Sequence, residues 1–316
     1  MTSRSTAGPA ADSTYPDDMP ALEGVDHRFL DLPSGLRMHV AEAGEGEPVL
    51  LLHGALQHWW AWRHVIPTLA ERFRVLALDL RGSGWTDAPP SGYGRAAMVA
   101  DLVAALDASG VSEVRLVSTD LGAIPGFGLC YDHPERVGAH AVIGVPPLAM
   151  KVGLRHVTAF LPLWHQQVGA VPLLAPRLFG RGSQPLARHM LCDFSPAGKP
   201  LDPDEVEAYL ARLRMPGRSR AVSATFRRLV LPELARIAGG RYRHTVSRIP
   251  TLVVTGIEDR AFPPSMAEDL VRTARPFVDF VELRTVAGAA HYVAQENPDE
   301  LLARLLPFLT EVRAPR

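Results

Sequence analysis

Val114–Ala123 reads VRLVSTDLGA: a short apolar run ends at Ser118, and Ser118 and Gly122 flank Asp120 two positions away on either side. The pattern predicts a strand, a tight turn and a helix. Asp120 falls at the turn, where a strained backbone presents a nucleophile and small neighbours let the helix approach the strand. A serine at such a turn must lose a proton before it attacks, whereas an aspartate, with a reference pKa of about 3.9, is already an anion at neutral pH. A carboxylate attacks amides poorly but displaces a leaving group from saturated carbon, leaving an alkyl ester on the protein. Taken alone, Asp120 reads equally well as a turn residue or helix N-cap, for which aspartate is suited.

Two later segments supply partners. Thr251–Thr255 is a buried-strand candidate that runs into Gly256-Ile257-Glu258-Asp259, and the strand-like Phe277–Leu283 precedes the loop Gly288-Ala289-Ala290-His291. A helix follows, capped by Asn297 with Pro298 at its first position. Asp259 and His291 therefore both fall at the carboxyl ends of predicted strands, where open α/β sheets place their chemistry. Nucleophile, acid and histidine follow one another in that order, with Glu258 a second candidate for the acid.

Over nearly its whole length, from about Leu22 to Val312, the chain resembles the α/β-hydrolase superfamily. Within it the likeness points to the epoxide hydrolase and haloalkane dehalogenase branch, whose nucleophile is aspartate. The matching pieces are LLHGALQHWWAWRHVIPTLAERFRVLALDLRGSGWTD at 51–87, VSTDLGA at 117–123, DHPERV at 132–137, LVVTGIEDRAFPP at 252–264 and GAAHYVAQENPDEL at 288–301. The resemblance implies an α/β-hydrolase fold, a mostly parallel central sheet flanked by helices, with a helical cap. It favours Asp259 over Glu258 as the acid. An acid after the sixth strand, used by some relatives, has no counterpart in Ile143–Pro147.

The implied mechanism has two halves. Asp120 forms an alkyl ester with the substrate; His291, oriented by Asp259, then deprotonates a water that attacks the ester carbonyl. The oxyanion is expected to be held by the backbone N–H groups of Leu121 and Ala55. Trp59, Trp164, His165, Phe226 and Tyr292 are expected to line the pocket. His53 reads as a loop-organising residue, and His58, Trp60 and Trp62 as core and helix face. The scheme calls for no metal and no cofactor, only water and a small hydrophobic organic substrate, most simply an epoxide opened to a diol.

Departures from the branch bear on substrate. His53-Gly54-Ala55-Leu56 lacks the usual proline, and the two cap tyrosines that protonate an opening epoxide are missing: Ala224–Arg227 carries Phe226 in one slot, and Leu161–Gln167 has no tyrosine. Losing general-acid help typically costs about 10²–10⁴ in rate. His165 is the first replacement donor, with Trp164, Tyr209 and Tyr242 behind it. A halide needs no proton, so dehalogenation is the rival reaction. Against it, Leu121 occupies the place of the halide-binding tryptophan, or of the arginine of haloacid enzymes, and the loop asparagine is absent. A third reading is a ligand-binding protein, or an enzyme of altered chemistry, that kept the fold.

At 316 residues and 47% hydrophobic content the chain can bury a large core, and alternating strand and helix signals suggest one parallel-sheet domain carrying an insertion. With 33 basic and 34 acidic residues the formal net charge is −1, so no broad field favours nucleic acid or an anionic membrane. The many arginines are scattered and read as solvated helix faces. Residues 1–20 lack an apolar stretch and read as a disordered tail rather than a secretory signal. With no run of eighteen apolar residues, and only Cys130 and Cys192 as thiols, a reducing cytoplasm is the expected home. The oligomeric state stays open, a homodimer included.

Strands are expected at His27–Leu32, Met38–Glu42, Val49–Leu52, Val75–Leu78, Val114–Ser118 and Ala139–Ile143, with helices near Trp60–Ala70, Ala96–Ser109 and Ala123–Tyr131. From 148 to 245 the pattern is helical, as in Glu205–Arg214 and Ser219–Leu229, and strand signals return at Thr251. The expected organisation is a core of 21–147 and 246–316, with residues 148–245 lying over the carboxyl edge as a helical cap that excludes water.

Overall fold

The structure, a computed structural model, describes residues 16, 18–153 and 163–314. Eight strands form one sheet: β1 (Asp26–Asp31), β2 (Arg37–Ala43), β3 (Glu47–Leu52), β4 (Phe73–Leu78), β5 (Val114–Thr119), β6 (Val137–Ile143), β7 (Thr251–Gly256) and β8 (Val281–Val286). Their order is β1-β2-β4-β3-β5-β6-β7-β8. Only β2 runs against its neighbours; from β4 to β8 every pairing is parallel. Strands β5, β6 and β7 are buried along their whole length, as continuous apolar runs in a two-faced sheet should be. Helices α1 (Ile66–Ala70), α2 (Arg95–Ala108) and α3 (Ala123–Asp132) connect the first half of the sheet.

Strand order reverses around β3. From β3 the chain goes to β4 on one side and, after α2, to β5 on the other, so the loops leaving β3 and β5 meet at the sheet's switch point. That meeting is what brings residues 53–56 beside Asp120.

Between β6 and β7 the described residues form no strand. They form helices α4 (Trp164–Gly169), α5 (Ala175–Gly180), α6 (Pro185–Cys192), α7 (Pro203–Arg214), α8 (Arg218–Thr225) and α9 (Leu231–Ala238), with a π-helical turn at Phe226–Val230. Their apolar faces share one cluster with Leu56 and Ala61 of the core, and Ala55 and Tyr292 pack against it. Beyond β7 come α10 (Pro264–Ala274), α11 (Val293–Glu296) and α12 (Pro298–Glu311).

Three expectations need correction. The helix expected at Trp60–Ala70 is a 3-10 turn at Trp59–Trp62 followed by the short α1, because Pro67 can enter a helix only in its first turn. The strand expected at Phe277–Leu283 starts at Val281; Arg275–Phe277 is a 3-10 turn seeded by Pro276. The tail expected through residue 20 ends sooner. Asp18 accepts a hydrogen bond from Trp85 Nε1 at 3.1 Å and pairs with Arg212 of the cap. Met19 packs against the core.

Candidate active site

Asp120 sits directly after β5 with φ +46°, a left-handed conformation that costs a non-glycine residue roughly 1–3 kcal/mol. The turn is tight because α3 starts at once, and Gly122 permits it: a Cβ there would lie 2.6 Å from His53 O and 2.7 Å from Leu52 O. The small residue expected from the sequence is a packing requirement set by the neighbouring β3 loop.

That loop is fastened from several sides. His53 Nε2 accepts from Leu80 N–H at 3.0 Å, and Gly54 N–H donates to Gln57 Oε1 at 3.1 Å. The Gln57 amide donates in turn to Gln295 Oε1 at 2.5 Å. His53 organises the loop, as its sequence context suggested. The result is that Ala55 N–H points at the nucleophile and donates to Asp120 Oδ1 at 2.6 Å.

The other carboxylate oxygen faces the histidine. Asp120 Oδ2 lies 3.3 Å from His291 Nε2, and His291 Nδ1 lies 3.0 Å from Asp259 Oδ2. Asp259 is completely buried at its side chain and accepts from Ala261 N–H at 2.7 Å and Phe262 N–H at 3.1 Å through its other oxygen. Its position is fixed by the turn after β7. Glu258, on the same turn, is exposed and does not reach the imidazole.

Electrostatics follow from that geometry. Burial works to raise the Asp120 pKa, but the hydrogen bond and charge of His291, with the N–H groups of Ala55 and Leu121, outweigh it and bring the group down to about 2. Burial likewise favours a neutral His291, yet Asp259 and Asp120 together hold its pKa well above the usual histidine value. The resting pair is therefore a carboxylate facing an imidazolium. Alkylation of Asp120 would remove one of the two anions that keep His291 charged, leaving the ring able to accept a proton.

Glu296, in α11 five residues past His291, was not singled out from sequence. Its Oε2 accepts from Ala290 N–H at 2.6 Å, which fixes the backbone just before the histidine. Burial raises its pKa to about 7, against the lowering effects of that N–H and of His291. A carboxyl one helical turn beyond a catalytic-type histidine was the available signal.

Asp120 and His291 border a small space of about 40 Å³, closed by Leu163, His165, Gln166, Met190 and Phe194 from the cap and by Ala261, Phe262 and Tyr292 from the core. As the side chains stand, that is room for about one water. His165 and Tyr292 are where the sequence reading put them, the latter with its hydroxyl donating to Met190 O at 2.5 Å. Phe226 and Leu121 line a second recess of about 20 Å³ beside Ala55, and Phe226 stacks on Phe179 at 6.1 Å.

Two expected pocket residues are not there. Trp59 is fully buried in the sheet core, edge-on to His27 at 4.8 Å, because its backbone N–H is held by Asp79 and its ring points away from the switch point. Trp164 is 49% exposed and stacks on His189 at 4.9 Å, on the outer face of α4. Of the reserve donors, Tyr209 is buried against His58 and accepts from Gln295 Nε2 at 3.2 Å, while Tyr242 is paired with Glu233 and Arg95. Neither borders the space over Asp120.

Asp120 on its tight turn, the buried Asp259 and His291 thus meet at the carboxyl ends of three parallel strands. The α/β-hydrolase fold family matches residues 47–298, and the chain belongs to it. Among its relatives, mouse epoxide hydrolase 4 is 28% identical over 88% of this chain and 77% of its own length. Epoxide hydrolase 3 of Siraitia grosvenorii is 28% identical over 92% of this chain and 100% of its own. The crystal structure of epoxide hydrolase VrEH1 from Vigna radiata superposes with a TM-score of 0.76 at 27% identity, covering 93% of this chain and 100% of that one. Within the family the chain is an enzyme of the epoxide hydrolase type.

Proposed function

We propose that this enzyme hydrolyses an epoxide to a vicinal diol through an alkyl ester on Asp120. Oδ2 attacks one epoxide carbon from behind, forming a carbon–oxygen bond as the ring carbon–oxygen bond breaks. The released alkoxide takes a proton from the wall opposite, where His165 is the cap side chain best suited to give one. His291, relieved of the Asp120 charge, gives its extra proton to solvent, from which His165 regains the one it donated, and the neutral ring then deprotonates a water that adds to the ester carbon. Oδ1 carries the resulting negative charge against Ala55 N–H. Collapse breaks the ester bond, and the imidazolium returns its proton to the departing diol.

The observation that carries this reading is the division of labour at Asp120: Oδ1 accepts from Ala55 N–H at 2.6 Å, while Oδ2 faces the imidazole at 3.3 Å. The epoxide hydrolase names of the relatives support it. Both thiols, Cys130 and Cys192, are free, which suits a reducing cytoplasm.

The test is a panel of terminal and internal epoxides run beside matched alkyl chlorides and bromides, with diol and halide release followed separately. Diol formation without halide release is expected. Halide release alone would make the chain a dehalogenase, and turnover of neither would make it a binding protein.

A further inference from the structure

A cavity far larger than the space over Asp120 lies elsewhere in the molecule. A crevice of about 820 Å³ opens where residues 88–93 of the core meet residues 172–181 and 214–227 of the cap. Arg177, Arg181, Arg214, Arg220 and Arg227 stand in its wall, with no carboxylate among the residues that line it. Arg214 is neutralised by Glu207 at 2.6 Å, and Arg227 donates to Ala170 O at 3.4 Å. Arg177, Arg181 and Arg220 meet no carboxylate among the described residues. The chain as a whole carries a net charge of only −1, so this concentration of positive charge is local. Residues that looked scattered along the sequence are gathered by α5, α7 and α8 around one concavity.

Guanidinium groups around a hollow focus positive potential, and their planar forks match carboxylate and phosphate oxygens. The rest of the wall is apolar: Pro89, Pro90, Pro172, Pro176, and the exposed Leu173 and Met215. A ligand fitting both surfaces is an amphiphilic anion. The crevice lies beside the recess at Leu121 and Ala55, and Ala55 also lines the space over Asp120. Ala221 lines both the crevice and that recess. Ala221 and Tyr93 share one small apolar cluster, against which Leu121, the residue after the nucleophile, packs.

Building on the epoxide reading, we infer that the crevice receives the anionic end, carboxylate or phosphate, of an amphiphilic substrate whose epoxide reaches Asp120. Binding is tested first without chemistry, by calorimetry of the full chain with decanoate and with decanamide. Decanoate should bind at least about tenfold tighter, a gap that shrinks with added salt and closes in the triple variant Arg177→Gln, Arg181→Gln, Arg220→Gln. Turnover of an epoxide-terminated fatty acid and its methyl ester comes second. The acid should show a KM about tenfold below the ester's in the parent protein and near parity in the triple variant, with decanoate competing against it.

Equal affinity for decanoate and decanamide would overturn the assignment. Tight decanoate binding that does not compete with turnover would make the crevice a separate anion site and overturn its link to the substrate. Binding to phosphatidylserine vesicles without decanoate binding would assign the arginines to a membrane surface instead, and so overturn it too. The binding arm reads even if no epoxide is turned over, which separates failure here from failure of the epoxide reading.

Discussion

Asp79 follows β4 as Asp120 follows β5, so two carboxylates leave parallel strands on either side of β3 and both meet an imidazole. Asp79 Oδ2 lies 2.7 Å from His39 Nδ1, and His39 Nε2 lies 3.0 Å from His27 Nδ1. On bonding pattern alone this trio is as good a triad as Asp120, His291 and Asp259. The surroundings separate them. Asp79 is wholly buried, and the N–H groups of Trp59 at 2.7 Å and Trp85 at 2.9 Å complete its coordination. The loop after it closes so tightly that a Cβ on Gly84 would sit 2.0 Å from Oδ2. Asp120 keeps a side chain 31% exposed, a left-handed backbone and an adjoining cavity. A carboxylate–imidazole contact becomes a site when one oxygen is left for a guest; when buried donors hold both oxygens it is a rivet.

Exchanging the roles of the two aspartates by mutation gives the largest contrast. Asp120→Asn should lower kcat by at least about 10⁴-fold while shifting the unfolding midpoint far less than Asp79→Ala does, since asparagine accepts the same left-handed backbone and only the contact with His291 is weakened. Asp79→Ala should do the reverse, costing about 3–5 kcal/mol in denaturant unfolding because it strands buried donors, with activity per folded molecule retained. A parent-like stability for Asp79→Ala would break the comparison.

Glu296 sharpens it at the catalytic end. Its pKa is raised to about 7, so the folded chain holds a proton that the unfolded chain releases near pH 4.5, and stability falls as pH rises between those values. Glu296→Gln, which mimics the protonated form, should match the parent at pH 4 and exceed it by about 1–3 kcal/mol above pH 7. Urea melts across that range check the sign; a variant weaker than the parent at pH 8 would contradict it.

The smallest effect belongs to His27. Burial, then the neighbouring His39, lower its pKa to about 4, so acid binds the unfolded chain first and the parent loses stability as the pH falls below about 6.5. His27→Gln should change stability at pH 7 by less than about 1 kcal/mol and soften that acid loss. No difference between the two acid titrations would remove His27 from the trio.

The legibility of the molecule divides along the same line between core and cap. Asp120, Gly122, Asp259 and His291 could be read because strand ends and tight turns leave a residue-size signature within a few positions of the functional side chain. The same geometry pointed to the Ala55 N–H, which donates to Asp120 Oδ1 at 2.6 Å. Trp59 could not be placed, because an apolar ring beside a turn reads alike whether it faces the pocket or the sheet, and the backbone bond from Trp59 to Asp79 decides it. In the cap, helical periodicity says that a face is apolar but not which neighbour it meets. Hence the outward turn of Trp164, the π-helical turn at Phe226 and the gathering of arginines around one crevice appear only in three dimensions. Leu161 and Pro162, part of the segment expected near the missing tyrosine, lie outside the described residues.

On the proposed mechanism Asp120 becomes covalently bonded to its substrate and is released by His291 and water. Intact-protein and peptide mass spectrometry of His291→Gln after a single turnover with an epoxide substrate tests it most directly. The account expects the protein to gain the mass of one epoxide, on the peptide carrying Asp120, and to keep it for many parent turnover times. Diol appearing at the parent rate with no adduct on that peptide would contradict it.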